Sequence, residues 1–286
     1  MQVLEAIEAC REVVQGARAR GLRVGLVPTM GALHKGHLSL IRAAGERCDF
    51  VVVTIFVNPT QFGAGEDYEA YPREREADLR ACRTLGVDVV FAPSVETMYP
   101  NGACTTVHVD RLTDGLCGAC RPGHFDGVAT IVAKLFNIVP AHAAFFGEKD
   151  YQQLAVIRRL VRDLNVPLEI VACPTVREPD GLARSSRNAY LSPAERTRAT
   201  SLSRALFAAA SRVAGGVRDA AVLCGGVRDE ILAAGPAEIE YVEVVDAVTL
   251  EPVARIEGPA RLCLAVRIGS TRLIDNVAVD VGAGLG

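Results

Sequence analysis

The sequence predicts an α/β fold: a doubly wound parallel, Rossmann-like sheet over residues 1–178, followed by a smaller α+β C-terminal domain over 179–286. Three observations lead there. Segments with helical spacing alternate with short continuous apolar runs, the pattern of strands covered by helices on both faces. The unusual polar clusters follow such runs, where open α/β sheets bind ligands. Past residue 178 the texture changes to an Ala-rich helix and strands that alternate apolar and polar residues.

Taken in order, Leu4, Ile7, Cys10 and Val14 stand at helical spacing and predict a helix over 3–20, capped by Gly21. RVGLV, 23–27, is the first strand. A helix around Leu38 to Arg47 and the strand FVVVTIFV, 50–57, come next, then a charged helix near Arg73 to Leu85 and the strand VDVVFA, 87–92. After an irregular stretch come a helix near Ala129 to Val139, the short strand AAFF, a helix from Tyr151 to Leu164 and the strand LEIVA. The helix at Tyr151 carries the stripe Leu154, Ile157, Val161 and Leu164, which leaves Gln153 off its core face. The join to the second domain falls near Arg177 to Ser186. There SPAE, 192–195, is a capping box with Pro193 at the first helical position. IEYVEVVDA and ARLCLAVRI then alternate like strands of a half-exposed sheet. No internal repeat or low-complexity tract is present.

At 286 residues, half of them apolar, the chain can bury a large core. A net charge of -3 gives no general attraction to nucleic acid or anionic membranes, and the absence of Trp removes common stacking platforms. No apolar run reaches the roughly 18 residues of a membrane span, and the charged N-terminus is unlike a signal peptide. The expectation is a cytoplasmic enzyme. The nine cysteines lie mostly in apolar settings and read as reduced core residues. Cys117 and Cys120 have ligand spacing, with His124 nearby, but a second such pair is missing and structural zinc normally takes four ligands.

Three clusters carry chemistry. His34 and His37 follow the first strand at a helix start, where unpaired amides favour phosphate and disfavour protonated imidazole. Two neutral rings there can donate hydrogen bonds to phosphoryl oxygens, and such donors are typically worth about 3–4 kcal/mol in rate. Asn58 and Gln61 follow the second strand. Gly147, Glu148, Lys149 and Asp150 follow AAFF. The chain uses Arg 28 times and Lys only three times, so Lys149 among sharp-turn residues stands out. Each cluster has a plain alternative: a polar loop, an ordinary Asn-Pro turn, an exposed helix start, and for RSSRN, 184–188, a solvated linker. Their mapping to neighbouring strand ends favours function. Neither a GxxxxGK[ST] loop nor a complete dinucleotide fingerprint is present.

PTMGALHKGH, IFVNPTQFG, RPGHFDGV, FFGEKDYQQL, REPDGLARSSRN and TRLIDN, in this order, closely resemble the pantoate–β-alanine ligase (pantothenate synthetase) family. The resemblance covers nearly the whole chain. A more distant similarity reaches the nucleotidylyltransferase superfamily with its HxGH motif. The resemblance implies ATP-dependent ligation of (R)-pantoate and β-alanine through pantoyl adenylate, releasing AMP and pyrophosphate, in pantothenate and coenzyme A biosynthesis. It places Met30, Gly31, His34, His37, Gly147, Lys149, Asp150, Val176, Arg184, Ser185, Ser186 and Arg187 around ATP. Gln61, Gln153 and Asn58 would serve pantoate, and Gln61 also β-alanine. His37, His34 and Lys149 would be the catalytic set, with His37 usually assigned as proton donor, although donation of a hydrogen bond fits a helix start better. Mg2+ is expected with the triphosphate, with no protein residue assigned as its direct ligand. The second domain would close over the site, and a homodimer is implied. Arg184 departs from the family pattern, which commonly has an apolar residue before SSRN. The alternatives are another adenylylating enzyme, which would have no stated use for the amides of NPTQF and GEKDYQQ, and a nucleotide-binding module without chemistry.

Overall fold

The computed structural model describes residues 1–280 and divides into two compact units. The first comprises Met1–Val109, Arg121–Glu148 and Gln153–Pro174. The second comprises Asp110–Cys120, Lys149–Gln152 and the chain from Thr175 onward.

The first unit is a six-stranded, all-parallel sheet with flanking helices. Its elements are β1 (Gln2–Leu4), α1 (Ile7–Ala19), β2 (Val24–Thr29), α2 (Lys35–Arg47), β3 (Phe50–Ile55), α3 (Arg75–Thr84), β4 (Val89–Phe91) and the single turn α4 (Val95–Met98). The short helix α5 (Leu116–Cys120) belongs to the second unit. The first unit resumes with α6 (His124–Ile138), β5 (Ala143–Gly147), α7 (Tyr151–Asp163), whose first two residues count with the second unit, and β6 (Glu169–Cys173). Strand order is β1-β4-β3-β2-β5-β6. The chain runs outward from β2 through β3 and β4, then returns to the other side of β2 at β5. The carboxyl ends of β2 and β5 therefore flank the topological switch point. Val27, Ile41, Ala44, Val53, Val90 and Phe145 are among the apolar side chains that pack as its core.

The second unit contains α8 (Pro193–Ala214), α9 (Ala220–Ala233) and the antiparallel sheet of β7 (Glu238–Asp246), β8 (Ala260–Ile268) and β9 (Thr271–Val279). Its core joins Leu202 and Leu206 of α8, Leu223, Val227 and Ile231 of α9, and Val244, Leu262 and Leu264 of the sheet. Ser192 and Glu195 form the expected reciprocal cap of α8, with Pro193 at its first position.

Several expectations need correction. Gln2–Leu4 is a strand, not the start of α1, because it pairs in register with Val89–Phe91 of β4. A three-residue edge strand has no period to read. Gly21 does occupy the left-handed region past α1, with φ +79°. Helix α6 starts at His124, five residues before the expected Ala129, behind Gly123 at φ +79°. On α7 the buried residues are Tyr151, Gln152, Leu154, Val156, Ile157 and Leu160, whereas Leu164 lies beyond the helix and is 57% exposed. Helix α9 and strand β9 add to the elements expected from the sequence. None of the nine cysteines is in a disulfide, and six are buried; Cys104 and Cys120 are exposed and Cys224 is intermediate.

Candidate active site

At the carboxyl end of β2 the chain makes a tight turn before α2. Thr29 anchors it: its hydroxyl donates to Thr54 O at 2.6 Å and accepts from Gly31 N–H at 3.2 Å. Gly31 has φ +83°, and a Cβ there would stand 3.0 Å from Asp78 Oδ2 and 3.1 Å from Ile55 Cγ2. The positive φ favours glycine here, and the space beside it is tight. Asp78, on α3 and only 2% exposed, accepts from Ala32 N–H at 2.9 Å and Leu33 N–H at 2.7 Å. Burial raises its carboxyl above the usual range, while those two N–H groups pull it back down.

His34 is the N-cap of α2. Its Nδ1 accepts from Gly36 N–H at 3.2 Å, and His37 Nδ1 accepts from His34 N–H at 3.4 Å. The rings stack with centroids 4.1 Å apart and planes 22° from parallel. A ring nitrogen that accepts carries no proton, so each neutral imidazole holds its proton on Nε2. Both rings stand at the N-terminus of α2 with Nε2 as the donor nitrogen, a setting suited to phosphoryl oxygens.

Beyond β3, Pro59–Gln61 forms a single 3-10 turn with Asn58 as its N-cap. Asn58 is 1% exposed and fully engaged: Oδ1 accepts from Thr60 N–H, Thr60 Oγ1 and Tyr99 OH, while Nδ2 donates to Gly127 O at 3.1 Å and reaches Gln61 Oε1 at 3.2 Å. Gln61 Nε2 lies 2.8 Å from Met30 Sδ. The start of α6 presses on this turn. Arg121 makes a two-point pair with Glu66, Nε and Nη2 each 2.6 Å from a carboxylate oxygen. Burial opposes ionisation of Glu66, but the Arg121 hydrogen bond and charge outweigh it and hold the carboxyl down to about 2.

In the second unit, Lys149 Nζ lies 3.5 Å from Asp150 Oδ1, and Lys149 O accepts from Asn276 Nδ2 at 2.9 Å. Arg177 pairs with buried Asp275 at 2.6 and 3.0 Å. Val176 O accepts from Arg184 N–H, and the Arg184 side chain pairs with Glu178. Its charge is thus matched within the loop rather than pointing into solvent. Ser185 caps a turn over Ser186–Tyr190, accepting from Arg187 N–H at 3.3 Å.

Met30, Gly31, His34, His37, Asn58 and Gln61 are therefore gathered at one end of the parallel sheet, with Gly147 at the matching end of β5. Gln153 stands half-buried on α7. Lys149, Asp150, Val176 and Arg184–Arg187 belong to the second unit. Sequence reasoning assigned no role to Asp78, Tyr99, Arg121, Glu66 or Asn276. RPGHFDGV and TRLIDN flagged two of them as motif members, whereas Asp78 could have been noticed only as a carboxylate one turn before Cys82 on the inner face of α3. Among the described residues no group of three or more His, Cys, Asp or Glu is arranged to hold a metal ion. Cys117 instead contacts Tyr241 OH at 3.1 Å and Arg272 Nη2 at 3.4 Å. No helix is long and apolar enough to cross a membrane among these residues.

Residues 2–278 match the family profile described as Pantoate-beta-alanine ligase. The chain is 56% identical over 281 residues to the pantothenate synthetase of Moorella thermoacetica, covering 98% of this chain and 99% of that one. It is 56% identical over 276 residues to that of Pelotomaculum thermopropionicum, covering 96% and 98%. The pantothenate synthetase structure from Thermus thermophilus superposes with a TM-score of 0.92 at 46% identity, over 98% of this chain and 100% of that one. A Francisella tularensis pantoate-beta-alanine ligase, complexed with β-γ ATP and β-alanine, gives 0.83 at 34% identity over 99% of each chain.

Proposed function

Because the chain belongs to the pantoate-beta-alanine ligase family, we propose that the amide bond it forms between pantoate and β-alanine is made through a pantoyl adenylate, with ATP as the activating substrate. In the first step a pantoate carboxylate oxygen attacks the α-phosphorus and pyrophosphate leaves. In the second the β-alanine amine attacks the acyl carbon, AMP leaves and the amine loses a proton. The nucleophile of the first step is already an anion, so no general base is needed there. That the Francisella relative was solved with an ATP species and β-alanine supports both as substrates here.

The observation that carries this reading is the stacked pair His34 and His37 at the N-terminus of α2, each accepting a backbone N–H at Nδ1, which makes Nε2 the donor. Charge builds on the phosphoryl oxygens as pyrophosphate departs, and the donors need not reorganise to meet it. Met30 and Gly31 shape the turn that delivers them. Gln61 and Gln153 hold pantoate, Gln61 also meets β-alanine, and Asn58 keeps the Gln61 turn in place. Gly147 leaves open space at the end of β5, since a Cβ there would meet nothing within 4 Å. In the second unit Lys149 and Arg187 supply positive charge, Ser185 and Ser186 supply hydroxyls, Asp150 serves the ribose and Val176 the adenine. Arg184 contributes chiefly through its loop, given its pairing with Glu178. We take the Rossmann-like unit and the C-terminal unit, as the fold divides them, as the functional halves of a homodimeric, cytoplasmic enzyme.

Mg2+ belongs in this reading with the triphosphate, whose charge it neutralises.

ATP–pyrophosphate exchange without β-alanine tests the reading. Exchange that appears only when pantoate is added is expected. Exchange independent of pantoate, or none from folded protein that binds ATP, would overturn the adenylate route.

A further inference from the structure

We propose that His124 and Arg121, at the start of α6, are positioning residues for the acid-substrate amide of Gln61: they hold the Gln61 main-chain carbonyl and so aim its side chain. The proposal rests on the reading of Gln61 given above.

The geometry is closed on itself. Arg121 Nη1 lies 2.9 Å from His124 Nε2, and His124 Nδ1 lies 2.6 Å from Gln61 O. A guanidinium can only donate, so Nε2 must accept, and the imidazole proton must sit on Nδ1, where it donates to the Gln61 carbonyl. Arg121 Nη2 reaches the same carbonyl at 3.3 Å. The guanidinium is itself held in one plane by the two-point pair with Glu66. Glu66, in turn, accepts from Gly63 N–H at 3.1 Å, two residues past Gln61, so the loop that carries the glutamine also carries its clamp.

The main chain allows no slack on the opposite side. A Cβ at Gly127 would fall 2.3 Å from Thr60 O and 2.6 Å from Gln61 N, so only glycine lets α6 approach the turn this closely. Gly127 O then accepts from Asn58 Nδ2. The segment from Arg121 to Gly127 therefore grips the turn at Asn58, Thr60 and Gln61. The contacts of these groups go to the turn that carries Gln61 and to Glu66. Their effect should fall on the acid substrates and spare ATP, because a misplacement of about 1 Å in a positioned group can cost 10²-fold.

Steady-state kinetics of the full chain, varying pantoate, β-alanine and ATP separately, with thermal unfolding of each variant, tests this. His124→Asn places an amide nitrogen near the Nδ1 position and keeps the donor to Gln61 O, whereas His124→Gln moves it to the Nε2 position and loses that donor. The expected result is a pantoate KM raised at least tenfold in His124→Gln and largely restored in His124→Asn, with the ATP KM within twofold in both. Arg121→Gln should behave like His124→Gln. The proposal is overturned if His124→Gln and His124→Asn have equal pantoate KM values, or if the ATP KM rises in step with the pantoate KM. Gln61→Ala separates the two claims. An unchanged pantoate KM there removes the assignment of Gln61 itself, while a raised value alongside a normal His124→Gln removes only the positioning role.

Discussion

A histidine's chemical role depends on which ring nitrogen its neighbours leave with the proton. His34 and His37 accept backbone N–H groups at Nδ1 and so become donors at Nε2, whereas His124 accepts from Arg121 at Nε2 and donates at Nδ1. His142 accepts from Val24 N–H at Nδ1 and anchors the start of β2, with burial lowering its pKa. Spacing in the sequence was enough to single out His34 and His37 but said nothing about tautomer, because the acceptor and donor partners come from folded backbone. His37→Ala should lower the rate of adenylate formation by about 10²–10³, the usual loss for one such donor. His37→Gln keeps a nitrogen donor near the Nε2 position and should stay within about tenfold of the unsubstituted enzyme. Single-turnover rates decide the matter: a loss in Gln as deep as in Ala would mean that a proton, not a hydrogen bond, must be transferred.

At the level of elements, the N-terminus of α2 and the turn after β3 are each held by a residue type that the sequence displays openly, glycine. Gly36 usually would gain from a methyl group, since Ala is favoured in helices by about 1 kcal/mol. Here a Cβ would lie 2.9 Å from His34 Cε1 and 3.0 Å from Nδ1, so it would push the first imidazole out of its cap. Gly36→Ala is expected to cut kcat/KM for ATP at least tenfold while leaving the unfolding temperature within a few degrees. Kinetics and calorimetry on the same preparation check both halves, and equal losses of activity and stability would point to general disruption. Elements with a strong period, such as β3 and α2, were legible within a few residues. Helix α9 was hidden because Gly225 and Gly226 read as breakers, yet Gly226 leaves room for Arg212 Nη1, which a Cβ would meet at 2.6 Å. Strand β9 was hidden because Asp275 and Asn276, at 3% and 5% exposure, put polar residues where an alternating pattern expects apolar ones.

Across the whole molecule, those two buried polar residues link distant parts of the chain within the second unit. Asp275 anchors Arg177, and Asn276 donates to the main chain of Lys149, 127 residues earlier, while accepting from Arg261. Asn276→Ala strands the Arg261 guanidinium contact and the Lys149 carbonyl, a loss of about 1–3 kcal/mol in stability. It should also lower kcat/KM for ATP about tenfold, since Lys149 is no longer held. Denaturant unfolding and ATP kinetics read the two effects, and unchanged ATP kinetics would show that Lys149 is placed by other contacts. The sequence by itself determined the fold class, the order of its main strands and helices, the family and the reaction, because periodicity, turn residues and long motifs are local properties of the chain. Only the tertiary structure decided that Lys149–Gln152 and Asp110–Cys120 pack with the second unit, that Arg184 is matched by Glu178, and that Asp78 and Arg121 brace the turns carrying His34 and Gln61. Most of those outcomes depend on partners that meet across dozens of residues, as for Asp78 with the turn at Ala32 and Leu33 and for Arg121 with Gln61, so the partner is chosen by the fold and not by the neighbouring sequence.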